Sequence, residues 1–476
     1  MPPHSKTAHR PTETVGKKRS ARFQAATDLL DWLKSDNIAY RDRSRFDSSS
    51  DYAAYRFLTG SVIRHRRKLL HLIETLAGRP VRKLDAEAIV CLMMGLSQLE
   101  RGQRKDCHAV VYETVELLLH FRKEHLKSFV NANLRSYLRE CRKYGDSVAD
   151  QPLEVRTSHP EWMADRWRSQ FGSEATRSIC EANNWIPSVQ IVINSRYAKI
   201  EVIEGMESQG FVLERQTTGG YRVVNPIGLF DTSYARMGAF LVQDESAQWI
   251  VKIVAPLPKR RVLDACAAPG GKLFHLEWKY GDAVERLVGW DLSPHRLQRL
   301  NENRARLKSR AEIVQMDATR PELSETFDLI IVDAPCTATG TIRKHPEIKW
   351  SRKPQDIRAN RERQLKLLLG VAPYVERGGH IVYATCSLER EENQEVADLF
   401  LQKRFLEFER CPISAAGWEH GLITPEGHFQ CLPSSDRMGA FAAVFRRRQR
   451  CDPDLSDAAG SSGTRSGCST GKINVL

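Results

Sequence analysis

None of the 11 cysteines forms a C-x-x-C pair, and their number is odd. That argues against a zinc ribbon and against the paired framework of a small secreted domain, so no metal is expected. No apolar stretch approaches the roughly 20 residues that span a bilayer. The opening residues, MPPHSKTAHRPTETVGKKRS, are basic and polar and lack the apolar centre of a secretory signal. The expectation is a cytoplasmic protein with no membrane partner, and most of its thiols are then ordinary buried side chains. Two nucleotide signatures are also missing. The glycine turn at Cys266–Lys272 is not G-x-G-x-x-G, which disfavours a nicotinamide dinucleotide. Nor is it G-x-x-x-x-G-K-[ST], which excludes a P-loop.

What is present is length and positive charge. The 476 residues exceed one compact core, so two or three domains are expected. Hydrophobic residues make up 41%, enough for globular interiors. Lys and Arg number 72 against 59 Asp and Glu, a net +13 that favours a polyanionic partner.

Residues 1–20 read as a disordered basic tail. From 21 to 145 the pattern is that of a helical domain. Leu84–Glu100 is apolar on most sides and should be central. Asp106–Phe121 is a further helix with Asp106 as its N-cap, and Val130, Leu134, Leu138 and Cys141 should share one buried face. Tyr144–Pro152 reads as a linker. Residues 153–255 suggest a small α/β domain, with strands at Val189–Asn194 and Phe211–Arg215 and a helix between them over Ile200–Ser208. Strands and helices alternate from Arg261, which implies a parallel sheet covered on both faces over 256–448. Gly439–Arg448 is expected to close its edge. Residues 451–476 are rich in Gly and Ser and should be disordered.

Ligands of an open α/β sheet bind beyond the carboxyl ends of its strands. Four such ends carry notable residues here. Cys266-Ala267-Ala268-Pro269-Gly270-Gly271-Lys272 forms a turn that lets backbone approach a ligand. Asp291, 20 residues beyond Gly271, is placed to accept both hydroxyls of a ribose. Asp317 and Asp333 end the next two strands. One such Asp alone is more often a turn former. Together they point to a nucleoside cofactor, and a ring of carboxylates suits a cationic sulfonium better than a triphosphate. Asp333-Ala-Pro-Cys336 and the Cys386 of YATCSL lie at neighbouring strand ends, which would bring two thiols to one cleft. A thiolate adding to C6 of cytosine activates C5 toward an electrophilic methyl group. Ser387 is expected to cap a helix whose dipole favours thiolate at Cys386.

These motifs, VLDACAAPGGK, DLSPHRL, DAPCTATGTIRKHPEIKW and YATCSLEREEN, resemble the Nop/Sun family of RNA cytosine-5 methyltransferases. The N-terminal pieces FLTGSVIRHRRKLLHLI, GLSQLE, ETVELLLHFR and NANLRSYLR resemble the NusB-like domain of its bacterial Sun/RsmB type. The resemblance implies a multidomain fold: an all-α NusB-like domain, a small α/β middle domain resembling an RNA-recognition module, and a class I, Rossmann-like methyltransferase domain. It implies S-adenosyl-L-methionine as cofactor and 16S ribosomal RNA, naked or in an early small-subunit particle, as partner of a monomer. By position it implies Cys386 as nucleophile, Cys336 in product release and Asp333 in orienting the base. Cys266 to Lys272, Asp291, Arg296, Asp317 and Asp333 would line the cofactor site, and His345 would touch RNA or shape its loop. Ser61–Lys68 and Phe445–Arg450 are candidate RNA-contact segments. Rival expectations are the same chemistry on transfer RNA or 23S ribosomal RNA, and an RNA-binding or antitermination factor with an inactive module.

Overall fold

The computed structural model describes residues 20–100 and 106–449. The tails expected at 1–20 and 451–476 therefore lie, save Ser20, outside the described residues. The chain divides into two compact units, one of residues 1–62 and 76–141, the other of 63–75 and 142–476.

The first unit is helical. Its central element is Ala86–Leu99, buried almost throughout from Ala88 to Leu99. It packs against the helices Ala21–Ser35, Cys107–His120 and Lys127–Arg139. Gly95 permits the last of these contacts, since a Cβ there would stand 2.8 Å from Leu134. Tyr55 donates to Asp28 at 2.7 Å, and Arg41 grips the same carboxylate. Two expectations need correction. The buried face of Lys127–Arg139 is Val130, Asn133, Leu134 and Tyr137; the helix ends before Cys141, which is exposed. Asp106 makes no capping hydrogen bond with its side chain.

In the second unit, the expected linker at Tyr144–Pro152 is largely helical, in Cys141–Ala149, with Tyr144 and Val148 buried. A helical run Glu161–Ala182 follows, interrupted at Gly172, whose φ is +81°. Then come β1 (Val189–Ile193), the helix Lys199–Glu207, β2 (Leu213–Arg215), β3 (Tyr221–Val223) and β4 (Phe240–Val242). They form an antiparallel sheet in the order β2-β3-β1-β4.

The large sheet comprises β5 (Arg261–Asp264), β6 (Arg286–Asp291), β7 (Glu312–Gln315), β8 (Phe327–Asp333), β9 (Val375–Thr385), β10 (Phe408–Arg410), β11 (Phe429–Cys431) and β12 (Ala440–Arg447). Its path is β10-β12-β9-β8-β5-β6-β7, with β11 beside β12. Strands β5 to β9 run parallel, and β12 joins β9 antiparallel. The run Leu329–Val332 is buried on both faces, as central parallel strands require. β12 is not the edge, because β10 pairs with it outside. The chain goes from β5 outward through β6 and β7, then returns to place β8 on the other side of β5. That reversal opens a crevice beyond the carboxyl ends of β5 and β8.

Candidate functional site

Each strand end delivers a polar side chain to this crevice. Asp264 ends β5 and is 1% exposed; its Oδ1 accepts from the Cys266 N–H at 3.2 Å. Burial first, and the nearby Asp333 second, push its carboxyl up to about 7. The turn that follows packs closely. Gly270 has a φ of +105°, and a Cβ there would lie 2.0 Å from the Phe274 ring. Ala267 N–H donates to the Trp290 carbonyl at 2.7 Å, tying the turn to β6. Gln243 donates to the Gly271 carbonyl at 3.1 Å, and Asn303 to that of Pro269 at 3.0 Å.

Asp291 ends β6 with 4% of its surface exposed. Arg296 lies 3.2 Å from Asp291 Oδ2 and donates to the Ala268 carbonyl at 2.8 Å. It thus braces the glycine turn against β6. Asp317 stands two residues past the end of β7. Hydrogen bonds from the Thr319 hydroxyl and N–H hold its carboxyl below the ordinary value. Cys266, Asp291, Arg296 and Asp317 line one cavity of about 160 Å³, with Met316, Thr319, Pro335 and Arg363. Ala267 to Lys272 and Asp333 do not line it. Asp291 Oδ2 is buried, with the Arg296 guanidinium at 3.2 Å but no hydrogen bond of good geometry. A buried carboxylate lining a polar cavity can accept a hydroxyl of a bound nucleoside.

Asp333, the last residue of β8, receives the Lys272 ammonium at 2.5 Å. Burial opposes the charge on Lys272, but Asp333 outweighs it and holds the amine above its ordinary value; Cys386 acts in the same sense. Because β8 and β9 are adjacent and parallel, the residues just past them meet. The sulfurs of Cys336 and Cys386 lie 3.4 Å apart, both half-buried. The Cys336 thiol is pushed well above its ordinary value by its hydrogen bond to Cys386 and then by burial. His345 is exposed at the loop surface, 3.3 Å from Glu347.

The charge near Cys386 does not come from a helix dipole. The helix after it begins only at Gln394, and Ser387 caps no helix. The cation at hand is Lys272. Ser387 instead donates to the buried Glu392, at 2.5 Å. The two basic segments are half-exposed and partly engaged within the protein. Ser61 to Arg64 are buried, and Arg64 donates to the Arg343 carbonyl at 2.9 Å. Arg446 and Arg448 pair with Glu409, and Arg447 with Glu407. Arg450 lies outside the described residues. The sequence reading missed Asp264, Glu392, Thr319 and Arg363. Asp264 had a visible signal, an acid ending an apolar strand before the glycine turn. Arg363 had none, since it comes from a helix remote in sequence.

A Rossmann-type sheet with a polar cavity and two adjoining thiols beyond its strand ends is the frame of a methyltransferase. Three family models match successive parts of the chain: the NusB family over residues 19–139, a RsmF/B-like ferredoxin-like domain over 159–221, and 16S rRNA methyltransferase RsmB/F over 251–446. The ribosomal RNA small subunit methyltransferase B of Pasteurella multocida is 32% identical over 80% of this chain and 86% of its own. The probable methyltransferase B of Bacillus subtilis is also 32% identical, over 73% of this chain and 79% of its own. A methyltransferase homolog protein from Pyrococcus horikoshii superposes with a TM-score of 0.52 at 26% identity, covering 63% of this chain and 98% of that one. The chain belongs to the ribosomal RNA small subunit methyltransferase B family and is an RNA methyltransferase. Among the described residues no group of His, Cys, Asp or Glu could hold a metal ion, and no helix is long and apolar enough to cross a membrane.

Proposed function

We propose that this protein methylates C5 of a cytosine in 16S ribosomal RNA, in the cytoplasm, through a covalent bond between Cys386 and C6. The observation that carries this reading is the pair of sulfurs 3.4 Å apart, with Lys272 and Asp333 beside them. S-adenosyl-L-methionine, when bound, supplies an electrophilic methyl group. The cavity lined by Asp291 and Asp317 would hold its nucleoside, with Asp291 on the ribose and Asp317 near the adenine. The chain's own residues do the rest. Lys272 favours the thiolate of Cys386 by its positive charge. Addition of that thiolate to C6 raises electron density at C5, the carbon that receives the methyl group. Asp333 orients the base. A water molecule takes the C5 proton, and the electron pair released restores the aromatic ring and expels the Cys386 thiolate. Cys336, which retains its proton, serves that release.

The target base has to leave its stack, at a cost of a few kcal/mol that is least at a loop or end. The test is adduct trapping. Cys336→Ala should accumulate a denaturation-resistant protein–RNA adduct that Cys386→Ala cannot form. Turnover retained by Cys386→Ala would sink the role assignment. Bisulfite sequencing of RNA from a deletion strain names the substrate. Loss of one 16S methylcytosine is expected, and loss at a 23S or transfer RNA position would redirect the reading.

A further inference from the structure

Glu392 is fully buried and takes no part in the chemistry described so far. Its surroundings are all donors. Oε1 accepts from the Thr337 N–H at 2.9 Å and from Gln364 Nε2 at 3.1 Å. Oε2 accepts from the Thr337 and Ser387 hydroxyls. A buried carboxylate is costly unless satisfied in this way, and its hydrogen bonds are then of the strong, charge-assisted kind.

The identity of the donors matters. Thr337 directly follows Cys336, and Ser387 directly follows Cys386. Gln364 also donates to the Pro335 carbonyl at 2.9 Å, so both neighbours of Cys336 are held on this one group. Glu392 is itself fixed to β9, since the Tyr383 hydroxyl donates to its carbonyl at 2.5 Å. The pairing of β8 with β9, the Gly340 N–H bond to the Cys386 carbonyl at 2.9 Å and the Thr337–Ser387 hydroxyl contact at 3.1 Å already bring the two loops together. One carboxylate bridges them directly behind the sulfurs. We propose that Glu392 is a positioning residue that sets the spacing of the two thiols and thereby the rate at which Cys386 meets the base. The inference rests on the two-thiol reading given above.

A carboxylate is needed because every partner donates. Glu392→Gln keeps an oxygen for the Thr337 N–H and Gln364 but turns its NH2 on the Thr337 and Ser387 hydroxyls, which must then accept instead of donate, so that half of the network is reversed. The experiment uses the full-length protein in a Cys336→Ala background, with target RNA and S-adenosylmethionine, and reads the rate of adduct formation. Adding Glu392→Gln should slow it at least tenfold while RNA affinity stays within threefold. Thr337→Ser, which keeps the hydroxyl, should match the parent, whereas Thr337→Val and Ser387→Ala should each be several-fold slower. A merely structural role would lower thermal stability without this dependence on the hydroxyl. If Glu392→Gln does not fold, the Thr337 and Ser387 variants decide. Parental rates in both Thr337→Val and Ser387→Ala overturn the proposal, as does an unchanged rate in a folded Glu392→Gln. If the Cys336→Ala parent itself forms no adduct, the covalent reading has failed instead. The clamp is then judged on multiple-turnover kcat in the otherwise native enzyme: a loss in Glu392→Gln upholds it and an unchanged kcat overturns it.

Discussion

Asp264 lies at the carboxyl end of a central strand, where burial and the neighbouring Asp333 both disfavour its charge. Its folded value, about 7, stands above its unfolded one, so ionisation works against folding. The penalty is absent below about pH 4, grows as pH rises, and is complete above about pH 7. Asp264→Asn keeps the Oδ1 acceptor for the Cys266 N–H and removes the charge. Its advantage over the native protein should therefore be larger at pH 8 than at pH 5, by about 2–3 kcal/mol. Urea unfolding at the two pH values measures this, and an equal difference at both would falsify the assignment. Lys272 gives a second expectation at this scale. Lys272→Met removes the cation beside Cys386 and leaves Asp333 unpaired. It should cut kcat at least tenfold, whereas Lys272→Arg, which keeps the positive charge, should retain more of the rate. Equal losses in the two variants would show that the charge of Lys272 is not what the reaction uses.

At the scale of elements, the glycine turn after β5 makes a sharp demand. Gly270 needs a positive φ and no Cβ, because Phe274 occupies the space. Gly270→Ala must strain the backbone by about 1–2 kcal/mol and displace the ring at a further cost of about 1–3 kcal/mol. Thermal melting should fall by several degrees, and S-adenosylmethionine affinity should fall at least tenfold by calorimetry. Native affinity in a stable variant would show that the turn does not hold the cofactor. This turn was readable in the sequence, since a Gly pair between an apolar strand and a helix has few other uses. So were the alternating strands, whose double-sided burial writes unbroken apolar runs such as Leu329–Val332. Less local facts were not. Tyr144–Pro152 is polar enough to read as a linker, yet Tyr144 and Val148 find a tertiary surface that makes it a helix. Ser387 has the residue type of an N-cap, but the helix begins only at Gln394, and the Ser387 hydroxyl goes to the buried Glu392. β10 is three residues long, too short to announce itself as the true sheet edge.

The whole molecule carries +13, and its two candidate RNA-contact runs spend part of their charge within the fold, Arg64 on the Arg343 carbonyl and Arg446 to Arg448 on Glu407 and Glu409. A charge run in the sequence reports composition; only the fold decides which charges meet solvent. The positive field available to RNA also includes scattered side chains such as Arg299 and Lys344, both exposed. Lys344 follows Cys336 by eight residues and lines a cavity with Ser188, Asp244 and Met438. If binding uses phosphate contacts, each one neutralised on a single strand contributes a slope of about −0.7 in log affinity against log salt. Five contacts would then weaken binding about a hundredfold between 50 and 200 mM salt. Lys344→Ala should reduce the slope by about 0.7 and weaken binding at low salt. Arg448→Ala, whose charge is already matched by Glu409 at 2.9 Å, should leave the slope unaltered. The measurement is fluorescence anisotropy of a labelled 16S fragment across that salt range. A flat titration would mean that the surplus charge is not the source of affinity. Recognition would then have to rest on base stacking and shape around the flipped cytosine.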